Sequence, residues 1–363
     1  MSEPPQGIWR HSSLFDDGNA PAALAMQHGW TLGEGNTPLE DWPDLAAEIG
    51  LERLLLKRED LNPGGSHKDR GLLYQVTAHR SEGATRGFVL SSSGNAAVSA
   101  AGACGRTGDA LLAFVSPQTA SVKYERLLDS GAQVVVSDKP INYGRYAGRV
   151  FGLTDLRGSK DPRASIGYRS IAGELTDVRP DALLTFSSSG TSMRGILDGF
   201  TLLQMTVACT SVQAGVCLGI ARALDPTLVD EPENPAGRLG IRNPPDAASL
   251  STALKQSGGG AVVVRSSDVL KAAQRFEHRS PEAGGAVRVS PEGAAVLAAV
   301  IEGARAGRLR GTVVAVITGH GSQWHGSQRV EAHRPTSSND RVIRVSSYTE
   351  LRTALLSRGF KVV

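Results

Sequence analysis

Cysteine is scarce in this 363-residue chain. The three cysteines, Cys104, Cys209 and Cys217, are odd in number and show no C-x-x-C spacing. This pattern argues against both a disulfide framework and a structural zinc site. The histidine-containing stretch 320–333 also lacks the spacing of metal ligands on one helix face, so we expect no bound metal.

Long hydrophobic runs and charge of one sign are absent as well. The longest nearly apolar stretch, residues 294–301, is far shorter than the roughly 20 residues that span a bilayer, and the N-terminus has no apolar signal-peptide core. The 39 basic and 36 acidic residues leave a formal net charge of +3 without long runs. We therefore expect a cytoplasmic protein that binds a small molecule, with no nucleic-acid partner and no membrane partner.

Short apolar runs, each followed by a Gly/Ser-rich turn and a helical pattern, recur along the chain. They occupy residues 54–57, 87–90, 182–186 and 311–317. Strands that alternate with helices predict an α/β fold with mostly parallel sheets. Because ligands of such sheets gather at the carboxyl ends of the strands, the turns that follow these runs are the candidate functional site.

Lys68 lies in the first of these turns, within "LNPGGSHKDRG", just inside a predicted helix start. A single glycine-rich turn is an ordinary structural feature, and neither this one nor "GEGNTP" (33–38) has a complete phosphate-binding spacing. Together, however, the turns offer a lysine amine, two helix N-termini and a hydroxyl group at a strand end. An anionic cofactor with an aldehyde group needs this set, because lysine forms a Schiff base with an aldehyde and helix N-termini attract phosphate.

Five motifs carry a family resemblance over residues 33–321. They are "LGEGNTPL" (32–39), "LKREDLNPGGSHKDRG" (56–71), "SSGN" (92–95), "SSSGTS" (187–192) and "TGHG" (318–321). In order and spacing they resemble the threonine synthase-like family of fold type II pyridoxal 5'-phosphate (PLP) enzymes, which share the tryptophan synthase β-subunit fold. The second motif resembles the PLP-lysine motif, although the family usually has phenylalanine or another apolar residue where this chain has His67.

The resemblance implies roles for individual residues. Lys68 is expected to be the Schiff-base lysine and the general base for the α-proton. Thr318 is expected to face the pyridine nitrogen, and Asn95 to bond the phenolic oxygen of the cofactor. The residues expected to bind the substrate carboxylate are Ser92, Ser93, Gly94 and Asn95. The residues expected to bind the cofactor phosphate are Ser188, Ser189, Gly190, Thr191 and Ser192.

The resemblance also implies an architecture of two three-layer α/β/α domains with mostly parallel sheets. We expect a large PLP-binding domain at 1–82 and 161–330, a small mobile substrate domain at 83–160, and a C-terminal extension at 331–363. "RVIRV" in this extension predicts a strand and "SYTELRTALLSRG" a helix. The family resemblance further implies a homodimer.

The implied function is that of a PLP-dependent lyase or synthase of threonine synthase or threonine dehydratase type. A neutral partner such as Thr318 at the ring nitrogen favours β- or γ-elimination or replacement over transamination. The substrate is then a hydroxylated or O-activated (phospho or acyl) amino acid. Threonine synthases commonly carry N-P-x-R-x-x-G, where "DPRASIG" (161–167) places Asp161 at the asparagine and Ala164 at the arginine. The site that binds a substrate phosphate in the family is thus altered in this chain. Arg163 and Arg169 are the candidates to replace its arginine.

Two other functions stay open. A β-replacement synthase of cysteine synthase type, which adds an external nucleophile to an aminoacrylate, has the same motifs and differs in its co-substrate. A catalytically inactive PLP-fold binding protein is suggested by the serine-rich turn at 187–192, where the family is glycine-rich. The joint presence of Lys68, Asn95 and Thr318 argues against an inactive protein.

Overall fold

The structure of the chain is a computed structural model. It describes residues 6–15, 20–83, 85–119, 121–215, 218–231, 241, 243–277, 289–321, 324–325, 328–329 and 340–363. The chain divides into two compact units. The large unit comprises Gly35–His67 and Gly158–Arg329, and the small unit comprises Met1–Glu34, Lys68–Arg157 and Val330–Val363. Among the described helices, none has the length and apolar character that a membrane crossing requires.

Strands and helices alternate along most of the chain. The strands are β1 (Leu39–Asp41), β2 (Arg53–Lys57), β3 (Phe88–Ser91), β4 (Leu111–Val115), β5 (Gln133–Val136), β6 (Thr154–Asp155), β7 (Ala182–Phe186), β8 (Ala208–Ala214), β9 (Gly260–Val264), β10 (Thr312–Val316), β11 (Trp324–His325), β12 (Gln328–Arg329) and β13 (Val342–Arg344). The helices are α1 (Ala20–His28), α2 (Pro43–Ile49), α3 (Lys68–Ser81), α4 (Asn95–Thr107), α5 (Ser121–Asp129), α6 (Pro140–Phe151), α7 (Arg163–Ile166), α8 (Arg169–Gly173), α9 (Thr191–Leu202), α10 (Gly219–Leu224), α11 (Ala247–Gln256), α12 (Ser266–Glu277), α13 (Pro291–Arg305) and α14 (Tyr348–Ser357). Short 3-10 helices cover Gly7–Leu14 and Glu59–Leu61.

The large unit is built on a six-stranded sheet in the order β1-β2-β10-β7-β8-β9. The edge pair β1–β2 is antiparallel, and the other pairs are parallel. One face packs on α2, α12 and α13, and the other on α8, α9, α10 and α11. Both faces of the central strands are therefore buried, which explains why those strands read as continuous apolar runs.

The central strands of this sheet end level with one another. Val316 of β10 pairs with Lys57 on one side and Thr185 on the other, and Phe186 of β7 pairs with Val212 of β8. The chain therefore leaves β2, β10 and β7 at the same edge of the sheet. This register brings three of the predicted turns of the large unit to one carboxyl edge.

The small unit is built on a five-stranded parallel sheet in the order β13-β5-β4-β3-β6. Its core includes Phe114 and Val135 of the sheet, Phe151 of α6, and Leu351 and Leu355 of α14. Helix α4 contacts β3 and β4, and α3 packs against α4 and α1. The small unit thus has a hydrophobic core of its own.

The predicted fold class is confirmed, since both units are α/β with mostly parallel sheets. The two units divide the chain differently from the predicted domains. Residues 158–160, predicted in the small domain, group with the large unit. Residues 6–34 and 68–82, predicted in the large domain, group with the small unit, because α3 packs on α1 and α4. The C-terminal tail forms the predicted strand and helix as β13 and α14, and β13 extends the small sheet by pairing with β5.

The docking of α14 gives a stability prediction. Leu351 is 0% exposed, so Leu351→Ala leaves a cavity beneath α14 and should destabilise the small unit by about 2–5 kcal/mol. Leu356 of the same helix is 41% exposed, and Leu356→Ala is the matched control, with an expected change within about 0.5 kcal/mol. Urea unfolding followed by circular dichroism measures both. Equal effects of the two variants would contradict the burial of this helix.

Candidate active site

The segment that leads to Lys68 is paired with the end of β10. The backbone N–H of Ile317 donates to the carbonyl oxygen of Lys57 at 2.9 Å, and the N–H of Asp60 donates to the carbonyl oxygen of Ile317 at 2.9 Å. These hydrogen bonds continue the β2–β10 ladder beyond the last strand residues. The turn after β2 is therefore fixed to the turn after β10.

The same pairing resumes closer to the lysine. Ser66 and Gly319 form an antiparallel bridge, and the N–H of His320 donates to the carbonyl oxygen of Gly65 at 2.9 Å. Gly65 has φ 78°, in the left-handed region where a side chain is strained. Helix α3 then begins at Lys68, which is half-buried. The lysine motif and "TGHG", predicted as two separate turns, thus form one hydrogen-bonded structure.

Thr318 lies at the centre of this structure and is 4% exposed. Its carbonyl oxygen accepts two hydrogen bonds from His67, one from the backbone N–H at 3.0 Å and one from the ring Nδ1 at 2.8 Å. His67 directly precedes Lys68 in the chain. The predicted cofactor lysine and the predicted partner of the ring nitrogen are therefore connected through one intervening residue.

The "GEGNTPL" motif is anchored by a buried ion pair. Lys57 Nζ lies 2.6 Å from Glu174 Oε2, and the two side chains are 2% and 7% exposed. Lys57 also donates to the carbonyl oxygen of Thr37, while Glu174 Oε1 accepts the N–H of Asn36 at 2.7 Å. One lysine and one glutamate thus hold this loop to the end of β2. Glu174 was not predicted, although a lysine at the end of an apolar run signals a need for a buried acid.

A second set of hydrogen bonds fixes the same loop to the lysine motif. Glu59, which is 0% exposed, accepts the hydroxyl of Thr37 at 2.7 Å and the amide of Asn62 at 2.8 Å. Asn62 Oδ1 in turn accepts the N–H of Gly35 at 2.9 Å. The polar residues of the lysine motif therefore serve as internal scaffold for the turn.

The serine-rich turn joins β7 to α9. Gly190 has φ 83°, and a Cβ atom there would lie 2.4 Å from Leu250 Cδ2, so the turn requires glycine at this position. Helix α9 begins at the next residue, Thr191, whose N–H donates to Ser189 Oγ at 3.4 Å, and the N-cap position is Gly190, which has no side chain to cap the helix. The N-terminus of this helix is therefore suited to an anion, because its first N–H groups have no partner within the helix.

Ser187 adds an unused hydroxyl next to this turn. It is 2% exposed, and its Oγ has no hydrogen-bond partner within the part of the chain that the structure describes. Gln213 of β8 donates to the Ser187 carbonyl oxygen at 3.0 Å and so fixes its backbone. Burying a hydroxyl without a partner is costly. The unpartnered Ser187 hydroxyl, the start of α9 and the hydroxyls of the turn fit the phosphate group of the expected cofactor. Ser187 was not among the residues predicted to bind that phosphate.

The "SSGN" turn lies in the small unit, between β3 and α4. Ser92 Oγ accepts the N–H of Gly94 at 3.2 Å, and Ser93 Oγ accepts the N–H of Ser116 at 2.9 Å. Asn95 is the first residue of α4. All four predicted carboxylate-binding residues, 92–95, are half-buried, and they form a helix start with its backbone shaped by serine side chains.

The "DPRASIG" segment of the large unit does not present an unengaged arginine. Asp161 Oδ1 accepts from Arg163 both its backbone N–H at 3.0 Å and its Nη1 at 3.1 Å. Arg169 lies 3.8 Å from Asp198 and is buried, and Ala164 is 4% exposed. Both candidate replacements for the phosphate-binding arginine are thus engaged with carboxylates.

The buried ion pair gives a prediction. Glu174→Gln leaves Lys57 as an unpaired buried charge and should cost about 3–5 kcal/mol of stability. The matched control is Glu302→Gln, because Glu302 and its partner Arg308 are 62% and 57% exposed, and such pairs contribute about 0–1 kcal/mol. Thermal and urea unfolding of both variants measure the difference. A loss for Glu174→Gln no larger than that of the control would contradict a structural role for the pair.

The cysteines give a second prediction. Burial raises the pKa of Cys209 to about 12, and burial together with Asp109 raises the pKa of Cys104 well above its usual value. Both thiols therefore stay protonated at neutral pH, and the thiolate is the reactive form. A Cys217→Ser variant should react with a disulfide reagent only after unfolding. Rapid labelling of the native variant at pH 7 would contradict this burial.

Comparison with known proteins places this geometry in a family. Residues 30–319 match the family described as "Pyridoxal-phosphate dependent enzyme". A threonine synthase of Mycobacterium leprae is 30% identical over 309 residues, covering 80% of this chain and 82% of that protein. A threonine synthase of Methanosarcina acetivorans is 28% identical over 335 residues, covering 86% and 79%. The processed form of threonine deaminase isoform 2 from Solanum lycopersicum has the same fold, with a TM-score of 0.71 at 16% identity over 99% of this chain and 96% of that one. The chain therefore belongs to the pyridoxal-phosphate dependent enzymes and has the fold of their type II members.

Proposed function

We propose that this protein is a PLP-dependent lyase or synthase that acts on a hydroxylated or O-activated amino acid by β- or γ-elimination or replacement. The observation that carries the proposal is the hydrogen bond between the ring Nδ1 of His67 and the carbonyl oxygen of Thr318, at 2.8 Å. His67 directly precedes Lys68 in the chain. The bond ties the lysine-bearing segment to a neutral hydroxyl residue, where a carboxylate would favour transamination.

The residues of the chain then have the following roles. Bound PLP would make the α-hydrogen of an amino acid acidic enough to be removed. Lys68 would hold the cofactor through its aldehyde, and its amine would serve as the base that accepts the α-proton of the substrate. Thr318 would supply a neutral hydroxyl to the ring nitrogen, and Asn95 would donate a hydrogen bond to the phenolic oxygen.

The serine-rich turn at 187–192 would bind the cofactor phosphate, and the "SSGN" turn at 92–95 would bind the substrate carboxylate. Ser188, Ser189, Gly190, Thr191 and Ser192 hold the phosphate at the start of α9, with Ser187 as an additional hydroxyl donor. Ser92, Ser93, Gly94 and Asn95 hold the substrate carboxylate at the start of α4. In both places backbone N–H groups and the helix dipole favour an anion.

The arginines of the large unit favour a leaving group other than phosphate. Asp161 pairs with Arg163, and Asp198 lies beside Arg169. A carboxylate on each guanidinium reduces its attraction for a substrate phosphate. We therefore place a hydroxyl or acyl-ester amino acid ahead of a phosphorylated one as the substrate.

The proposal predicts a visible absorption band of the bound cofactor and its loss in Lys68→Ala. Wild-type protein incubated with PLP is titrated with serine, threonine, homoserine and their O-phospho and O-acetyl forms. One of the unphosphorylated compounds should shift the band and be turned over. Lys68→Ala should lower turnover by at least about 10³-fold, because it removes both the attachment point and the base.

Lys271→Ala is the control, because this lysine lies on the surface with its side chain 75% exposed, and it should retain activity. Turnover that requires an added thiol or other nucleophile would assign the β-replacement function. A band that no substrate shifts would indicate the binding protein. Unchanged turnover in Lys68→Ala would refute the catalytic role of that lysine.

A further inference from the structure

His67 has a position in the site that neither the motif nor the family resemblance assigns. Its backbone N–H and its ring Nδ1 both bond the same atom, the carbonyl oxygen of Thr318, at 3.0 and 2.8 Å. The backbone bond belongs to the pairing of the two turns and is available to any residue except proline. The ring bond depends on histidine, because a phenylalanine at this position has no donor.

The hydrogen-bond partner determines the tautomer of the His67 ring. A carbonyl oxygen only accepts hydrogen bonds, so Nδ1 must carry the hydrogen. The carbonyl of Thr318 has two lone pairs and can accept both donors at once. Two donors on one oxygen restrict the peptide group of Thr318 more strongly than the backbone bond alone.

The His67 ring is itself restricted in position. It is 9% exposed, and its centroid lies 5.4 Å from that of Tyr168. Tyr168 is 2% exposed and packs closely on Gly195 of α9, where an added Cβ would come within 2.9 Å of the tyrosine Cβ. The ring thus has as its neighbour Tyr168, which is packed against α9, the helix that follows the serine-rich turn, and Nδ1 has little freedom to leave the carbonyl.

We propose that His67 is a positioning residue that sets the orientation of Thr318 through its Nδ1–H bond. The inference rests on the proposed function, in which Thr318 faces the ring nitrogen and Lys68 carries the cofactor. The bond joins Thr318 to the residue that directly precedes Lys68 in the chain. The lysine motif with histidine at this position therefore controls the environment of the ring nitrogen as well as that of the aldehyde.

The test uses three substitutions that separate the two ring nitrogens. In His67→Asn the side-chain amide nitrogen takes the place of Nδ1 and keeps the bond to Thr318. In His67→Gln the amide nitrogen takes the place of Nε2 and loses that bond, and in His67→Phe no donor remains. His28→Asn is the matched control, since this exposed histidine lies on α1 in the small unit, outside the residues assigned to the site.

The measured quantities are the dissociation constant of PLP from the full-length protein, the absorption maximum of the bound cofactor, and its midpoint in a pH titration. We expect His67→Phe and His67→Gln to weaken PLP binding by roughly three- to tenfold, the equivalent of one net hydrogen bond, and to shift both spectral values. His67→Asn and His28→Asn should match the wild type. Circular dichroism melting of each variant without PLP identifies any loss of folding.

Three outcomes would overturn the inference. Wild-type spectra and affinity in His67→Phe would show that the bond has no influence on the cofactor. Equal effects of His67→Asn and His67→Gln would show that Nδ1 is not the nitrogen that matters. A lower melting temperature of His67→Phe and His67→Gln with unchanged cofactor spectra would show that His67 contributes to packing only. A wild-type protein that shows no band with PLP is a distinct result, since it removes the proposed function and the inference with it.

Discussion

The site depends on one pairing, that of the chain after β2 with the chain after β10. β2 and β10 are adjacent parallel strands that end level, at Lys57 and Val316. The pairing continues beyond them through Ile317 and ends in the bridge between Ser66 and Gly319. Because hydrogen bonds join the lysine motif to this segment from Asp60 to His67, the residues that directly precede Lys68 are fixed beside Thr318 within the large unit.

Two buried ion pairs lie near the end of β2, and one of them holds the neighbouring loop 35–38 in position. Lys57 and Glu174 are almost fully buried, as are Arg58 and Asp60, whose Nη2 and Oδ2 atoms lie 2.8 Å apart. A buried ion pair is weak support for overall stability, since desolvation offsets much of the Coulomb attraction. The geometry of the Lys57–Glu174 pair is nevertheless specific, because Lys57 also donates to the carbonyl oxygen of Thr37 and Glu174 also accepts the N–H of Asn36. The loop 35–38 is therefore held by directional hydrogen bonds to Lys57 and Glu174, which apolar side chains could not provide.

The small unit shows how the C-terminal tail contributes to a fold without contributing a motif. β13 pairs with β5 at the edge of the sheet, and α14 buries Leu351 and Leu355 against it. The Tyr143 hydroxyl bonds the carbonyl oxygen of Ser346 at 2.7 Å. The tail thereby covers the edge of β5, which would otherwise expose unpaired backbone groups.

Sequence and tertiary structure determined different parts of this protein. Apolar runs followed by glycine and serine turns were enough to predict the α/β class and strands at 182–186 and 311–317, and the resemblance of five short motifs indicated the family, because these signals lie within short stretches of chain. The partner of Lys57, the orphan hydroxyl of Ser187 and the bond between His67 and Thr318 were beyond prediction. That last pair is separated by 251 positions. Only the tertiary structure decides such contacts, because they depend on strand order and register and not on local residue preference.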